Sequence, residues 1–236
     1  MTHQTAASAN YTSAIDDYLK AIYILGQKHG GVTTSLLAVY LGFTSPSITA
    51  MLQKLAKLNL VHYTRYHGVS LTPQGHRQAL KVLRHHRLLE LFLVQTLGYS
   101  WEEVHAEAEV LEHVISETFE ARIAAYLGDP TVDPHGDPIP SPDGTLPTTP
   151  TRSLAELPIG AMGEIAQITD QQPAHLCYFA ELGLIPGARV TVLARAPFDG
   201  PVSIGVDTTT YHLDGGMARA ILVHAALSEV QRSLTA

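Results

Sequence analysis

Apolar and polar positions change their spacing partway along this chain of 236 residues. Through the first half, apolar residues recur at three- and four-residue steps, the period of a helix with one buried face. Ile15, Leu19, Ile22, Tyr23 and Leu25 form the first such face, with Thr12 or Ser13 as cap and His29-Gly30-Gly31 as terminator. Thr33/Thr34 begins a short helix, SLLAVYL, closed by Gly42. Ser45 caps a third, with Pro46 at its first position, where a missing N–H costs nothing, and an apolar face of Ile48, Met51, Leu52, Leu55 and Leu58. The period then shortens: LVHYT and GVSLT, in 60–72, flank Arg65-Tyr66-His67-Gly68 as a short hairpin. Thr72-Pro73 opens a long helix running to Gly98, and Ser100-Trp101-Glu102-Glu103 reads as a capping box for a further helix ending near Gly128.

Residues 129–150 hold seven of the chain's 14 prolines and predict a linker or extended arm. Beyond them the pattern alternates in ARVTVLAR, PVSIGVD, TTYHLD and AILVHA, short strands of a small β-barrel of about 70–80 residues. The fold expected is mainly α with β, built as a helical N-terminal half and a small C-terminal barrel.

Composition adds exclusions. No run of about 18 apolar residues predicts a membrane helix, and MTHQTAASANYTS lacks the features of a secretion signal. The single cysteine, Cys177, excludes an intrachain disulfide framework and is expected to pack in the β-domain. A cytoplasmic protein with no membrane partner is the expectation.

Charge changes the picture more. The net charge of −7 hides a segment, Tyr18 to Leu89, with nine Lys/Arg and no Asp or Glu, while the rest of the chain holds all 22 acids. A solvated basic face is the bland explanation; a surface that meets a polyanion is the better one. Three helices followed by a hairpin form a winged helix-turn-helix, whose third helix enters the major groove of double-stranded DNA. Its first turn carries Thr44, Ser45, Pro46, Ser47 and Thr49, hydroxyls for phosphates and base edges with a proline for a thymine methyl. Gln53 and Lys54 follow, and Arg65 and His67 sit at the wing tip. A bundle in which these Ser/Thr residues merely cap helices is the alternative. Base readout by so few cations is modest, which leaves room for shape readout.

The stretch HAEAEVLEH, 105–113, places His105, Glu109, Glu112 and His113 on one face of a helix. Bare like charges there repel, and unpaired buried carboxylates are costly; a divalent cation resolves both. The preceding helix offers His85, His86 and Glu90, and the first helix offers Asp16 and Asp17. An isolated His86/Glu90 pair is more often a surface ion pair than a ligand set; the 105–113 stripe tips the balance.

These stretches resemble the diphtheria toxin repressor family of metal-dependent transcriptional repressors, which includes the manganese transport regulators. The similar segments are IDDYLKAIYIL (15–25), TSPSITAMLQKL (44–55), GVSLTPQGHRQA (68–79), RHHRLLE (84–90), VHAEAEVLEHVIS (104–116) and DPIP (137–140). ELGLIPGARVTVL (181–193) resembles the SH3-like, FeoA-type domain of the longer members. The resemblance implies a winged helix-turn-helix DNA-binding domain at 1–72 and a helical metal-binding and dimerisation domain at 73–140. A Pro-rich linker at 141–155 and an SH3-like FeoA-type domain at 156–236 follow. It implies a primary metal site of Asp17, Glu109, Glu112 and His113, with Asp and Glu as in manganese-type members. An ancillary site follows from His86, Glu90 and His105, joined by Gln172 and His175 of the SH3-like domain. Short manganese regulators carry a further Glu where this chain has Lys20, so two separated sites are expected in place of a bridged pair. The hard, oxygen-rich donors suit Mn²⁺ or Fe²⁺, with Zn²⁺, Co²⁺ or Cd²⁺ able to substitute in vitro.

The function expected is a homodimeric, metal-gated DNA-binding repressor of manganese- or iron-uptake genes, not an enzyme. A winged-helix regulator sensing a small organic ligand, with the His/Glu stripe only structural, is the alternative. Catalysis is weakly signalled: Glu109-x-x-Glu112-His113 only approaches the H-x-x-E-H pattern.

Overall fold

A computed structural model describes residues 12–65, 67–198 and 200–224. Tyr66 and the ends of the first and last expected domains, 1–11 and 225–236, lie outside the described residues. The chain divides into two compact units. The first holds the residues through His85 with Glu112–Val114 and Pro142–Gly144, and the second holds the rest.

In the first unit, α1 (Ser13–His29), α2 (Thr34–Leu41) and α3 (Ser45–Lys57) precede an antiparallel hairpin of β1 (Val61–Thr64) and β2 (Gly68–Leu71), then the first turns of α4 (Pro73–Phe92). Leu19, Leu37, Ile48, Leu52, Leu55 and Leu60 are fully buried and make its core. Gly30 and Gly42 end α1 and α2 in the left-handed conformation, as their positions predict. The cap of α3 is Thr44, one residue before the expected Ser45: extended Thr44 accepts from the Ser47 amide at 3.4 Å. Ser45 and Pro46 therefore lie inside the first turn. Thr72 joins wing to helix, its hydroxyl donating to the Asn59 carbonyl (2.8 Å) and accepting from the Gly75 amide (3.1 Å). A Cβ on Gly75 would lie 2.0 Å from the Leu60 carbonyl oxygen, so α4 starts there only because the position is glycine.

In the second unit α4 continues into a π-helical stretch, Leu93–Leu97, closed by Gly98, and is followed by α5 (Val104–Leu111) and α6 (Glu117–Tyr126). The single helix expected from 100 to 128 is thus broken at 112–116. Ser116 is extended and its side chain accepts from the Phe119 amide at 3.2 Å, starting a new helix in place of continuing the old one. Leu88, Leu89, Leu91, Ala108, Ile123, Ala124 and Ile139 form the helical core of this unit.

Residues 129–141 are packed, not a free arm. Val132 bridges Pro138, and buried Ile139 donates its amide to the Thr131 carbonyl at 2.8 Å. Gly136 sits at φ +86°, where a Cβ would lie 2.0 Å from the Ala166 carbonyl oxygen. The neighbouring His135 carbonyl accepts from the Ile168 amide at 2.9 Å.

The C-terminal sheet has six antiparallel strands in the order β3-β8-β4-β5-β6-β7. They are β3 (Thr151–Ser153), β4 (Met162–Ile168), β5 (Arg189–Arg195), β6 (Val202–Val206), β7 (Thr209–Leu213) and β8 (Ile221–His224). Helices α7 (Pro173–Glu181) and α8 (Gly215–Ala220) are inserted between strands. Phe179, Ile165, Ile168, Val192, Ile204, Leu213 and Ile221 fill its core. Because β3 pairs with β8, the sheet begins within the stretch read from sequence as linker, 141–155. Among the described residues no single helix is long and apolar enough to cross a membrane.

Candidate metal centres and DNA face

The first unit gathers donors from α1, from α4 and from the turn after α5. Asp16 and Asp17 lie on the N-terminal part of α1; Glu112 and His113 lie in the turn that ends α5. Asp17 Oδ1 is 2.9 Å from His113 Nε2, and His113 Nε2 is 3.5 Å from Glu112 Oε1. Glu112 is almost wholly buried and faces the Lys20 ammonium at 2.6 Å. Its carbonyl lies 3.0 Å from His85 Nδ1. Behind this group Asp16 accepts from the Gln78 amide at 2.8 Å. Burial raises the Asp16 carboxyl above the ordinary aspartate range, against the Gln78 bond and the charge of His113. The break in the helix matters here: in the turn, Glu112 and His113 face donors of α1.

His85 and His86 are consecutive on α4 and therefore point about 100° apart, so His86 serves a different group in the second unit. His86 Nε2 lies 2.9 Å from Glu90 Oε1 and 3.0 Å from His105 Nδ1, and His105 Nδ1 is 3.1 Å from the same Glu90 oxygen. Glu109 stands one turn after His105, its Oε1 3.6 Å from His105 Nε2 and 4.0 Å from His86 Nδ1. The expected trio His86, Glu90 and His105 is therefore assembled, and Glu109 stands beside it.

Asp133 and His135 extend this group and were not expected from the sequence. Both are buried, and with Glu90 they offer ligand atoms that lie within 4.8 Å of one another. His135 Nε2 donates to the Trp101 carbonyl at 3.1 Å, while Nδ1 stands 3.8 Å from Glu90 Oε2. Trp101 stacks on the imidazole with centroids 5.2 Å apart and donates to the Pro134 carbonyl at 3.0 Å. Asp133 Oδ1 accepts from the amides of His135 and Asp137, at 2.8 and 2.9 Å. Arg87 Nε stands 3.7 Å from Asp133 Oδ2, and the guanidinium also donates to Asp137 and the Pro138 carbonyl. The only sequence signal was D-P-H-G-D at 133–137, ligand-type residues inside a proline-rich stretch without helical period.

The electrostatics of this second group are opposed. Burial raises the Glu90 carboxyl, but the charge of His86, the hydrogen bonds from His105 and His86 and the nearby His135 outweigh it and hold the group well below the usual range. Burial, reinforced by Asp137 and Glu90, pushes Asp133 well above its usual range. Burial opposes protonation of His135, but the nearby carboxylates of Glu90 and Asp133 and its bond to the Trp101 carbonyl raise it.

Two features fit a metal ion. The buried Nδ1 atoms of His113 and His135 make no hydrogen bond. The donors around each are carboxylates and imidazoles, the set that suits a divalent ion of intermediate hardness. His135 has the arrangement of a metal-ligating histidine, with one ring nitrogen tied to a carbonyl and the other facing carboxylates. Gln172 and His175 stand apart from this pattern. Gln172 is the N-cap of α7, and His175 pairs with Asp170 at 2.6 Å in an exposed position. His175 belongs to none of the His/Asp/Glu clusters found among the described residues. Gln167 and Gln171 do reach inward, donating to Asp137.

The expected DNA face is on the surface. Thr44, Ser45, Pro46, Ser47, Gln53, Lys54, Arg65 and His67 are exposed and Thr49 is half-buried. The Thr44 and Ser47 hydroxyls lie 2.9 Å apart, and the Thr49 hydroxyl donates to the Ser45 carbonyl at 2.9 Å. Ser45 and the Pro46 ring are left as the leading elements of α3.

Three segments of the chain match known protein families. Residues 10–69 match the iron dependent repressor N-terminal DNA binding domain, residues 72–141 the metal binding and dimerisation domain of the same repressors, and residues 152–225 the FeoA domain. The iron-dependent repressor IdeR of Mycobacterium leprae is 33% identical over 190 residues, covering 74% of this chain and 81% of that protein. A manganese-dependent transcriptional repressor in complex with manganese superposes with a TM-score of 0.83 at 44% identity, covering 89% of this chain and 99% of that one. ScaR with bound Cd²⁺ gives 0.76 at 33% identity, covering 89% and 98%. The chain therefore belongs to the diphtheria toxin repressor family of metal-dependent, DNA-binding transcriptional regulators, in its longer form with a C-terminal FeoA domain.

Proposed function

We propose that this regulator represses manganese- or iron-uptake genes in the cytoplasm, gripping operator DNA as a homodimer when Mn²⁺ or Fe²⁺ is bound. Its output is occupancy of DNA, not turnover of a substrate. The observation that carries the reading is the pairing of Asp17 with His113 beside buried Glu112. Asp17 belongs to the first helix of the reading head, while Glu112 and His113 belong to the turn after α5, 95 and 96 positions later. Asp17, Glu112 and His113 would hold the ion, with Glu109, one turn earlier, as the fourth donor that the family resemblance supplies. Glu90, His86 and His105, with Asp133 and His135, would hold a second.

Bound metal supplies positive charge and directional coordination. The residues supply the rest. Asp17 fixes the N-terminal end of α1, and the turn at 112–116 presents His113 to it. α1 packs on α2 and α2 on α3, with Leu19, Leu37 and Leu52 fully buried, so restraint of α1 passes to α3 through α2. In a two-fold dimer the reading helices must stand about 34 Å apart to enter successive major grooves. Restraint of α1 selects that spacing from a looser ensemble. The manganese and Cd²⁺ complexes of the related repressors support the choice of ion, as does a donor set without thiolate.

The test is a calorimetric titration of chelator-treated protein with Mn²⁺, alongside a gel shift on the DNA upstream of the regulator's own gene. Metal binding with metal-stimulated retardation is expected. An inert His/Glu group, with DNA binding answering to an organic molecule, would defeat the reading.

A further inference from the structure

Lys20 lies one turn after Asp16 and Asp17 on α1, and its ammonium stands 2.6 Å from Glu112 Oε1. Its side chain is 8% exposed and that of Glu112 is fully buried. The same Glu112 oxygen lies 3.5 Å from His113 Nε2, which lies 2.9 Å from Asp17 Oδ1. A protein cation therefore sits inside the donor set, on the carboxylate that is least accessible to water. A buried carboxylate needs a counter-ion, and removing one partner of such a pair is costly. Here Lys20 is that partner. A divalent ion held by Asp17, Glu112 and His113 would share Glu112 with this ammonium, and like charges in a poorly solvated site repel strongly.

We propose that Lys20 is a resident counter-ion that competes with the metal for Glu112, and so sets the metal concentration at which this site fills. The inference rests on the reading of Asp17, Glu112 and His113 as a metal site. It assigns to Lys20 the opposite of a ligand's role. The ammonium keeps Glu112 in place while metal is scarce and weakens the bound state when metal arrives. The regulator thus stays off until metal exceeds a threshold that the bare donor set alone would place lower.

The experiment compares Lys20→Met and Lys20→Arg with the parent, all as full chains. Lys20→Met keeps the unbranched apolar stem and removes the charge; Lys20→Arg keeps the charge. Calorimetry with Mn²⁺ should show Lys20→Met binding about tenfold tighter or more at this site, as loss of a close like charge predicts. Its chelator-treated form should melt several degrees below the parent, and Mn²⁺ should restore the difference. Lys20→Arg should stay near the parent in both measurements. A structural role alone, in which Lys20 only orients Glu112, predicts the reverse: weaker Mn²⁺ binding in Lys20→Met. Equal or weaker binding overturns the proposal, whereas absence of Mn²⁺ binding in the parent overturns the metal-site reading beneath it. Should metal-free Lys20→Met fail to fold, it is purified with Mn²⁺ and challenged with chelator. Slower release than the parent supports the proposal, and equal or faster release refutes it.

Discussion

Asp17 and Asp133 are both aspartates among histidines, yet their surroundings give opposite expectations. The Asp17 side chain is 39% exposed, so its loss leaves the core of the first unit intact. Asp17→Asn should weaken Mn²⁺ binding by at least about tenfold, as loss of a direct ligand does at minimum, with the thermal midpoint of the metal-free protein unchanged. A matching fall in the midpoint would make Asp17 a structural residue. Asp133 is buried, and its carboxyl is held above the ordinary range by burial, Asp137 and Glu90. A group whose value is raised on folding contributes stability that is complete below its unfolded value and is lost as pH rises through the folded one. Asp133→Asn can still accept from the His135 and Asp137 amides. In chelator-treated protein it should therefore melt higher than the parent at alkaline pH, with the gap closing in acid. A lower midpoint at every pH would show that the carboxylate is ionised and paired with Arg87. Single residues were legible in sequence where ligand types recur at helical spacing, as for His86, Glu90 and His105. Across long separations only the family resemblance joined residues, as for Asp17 with Glu112 and His113. Lys20 meets Glu112 across 92 positions, and Asp133 and His135 sit in a turn whose prolines read as linker.

At the scale of elements, the break between α5 and α6 and the packed 129–141 segment carry the site. The periodicity of 105–126 predicts one helix, because apolar spacing runs on through the break. The stop is local: extended Ser116 caps the next helix, and residues 112–114 turn. The sequence does contain that cap, Ser116 three residues before Phe119, but a serine within a periodic run has no unique reading. The 129–141 segment depends on Gly136, whose φ of +86° and approach to the Ala166 carbonyl leave no room for a side chain. Gly136→Ala should destabilise the second unit by roughly 1–3 kcal/mol from backbone strain. It should also displace His135 from Trp101, the chain's single tryptophan, whose stacked ring reports on it. Unfolding followed by tryptophan emission checks both; an unchanged midpoint and spectrum would show that the segment yields without strain.

Over the whole molecule, charge separation and domain order were the most legible features. Nine cations without an acid between Tyr18 and Leu89 pointed to a DNA-binding half, although Lys20 and Arg87 face carboxylates inside the protein, and the shift from helical to alternating period marked the C-terminal sheet. The start of that sheet was less legible, because β3 is three residues long and pairs with the distant β8. Exposed Lys54 and Arg65 are expected to touch phosphates. Each change to Ala should weaken binding to all sequences alike and lower the salt slope by about one; an unchanged slope would move the DNA face elsewhere. Metal governs how the regulator holds DNA. The most direct test of this is the anisotropy of a labelled operator, titrated with chelator-stripped protein in the absence and presence of Mn²⁺. Mn²⁺ should tighten binding by at least about tenfold, within the usual range of coupling between two sites. Equal affinity of the stripped and loaded protein for the operator would contradict it.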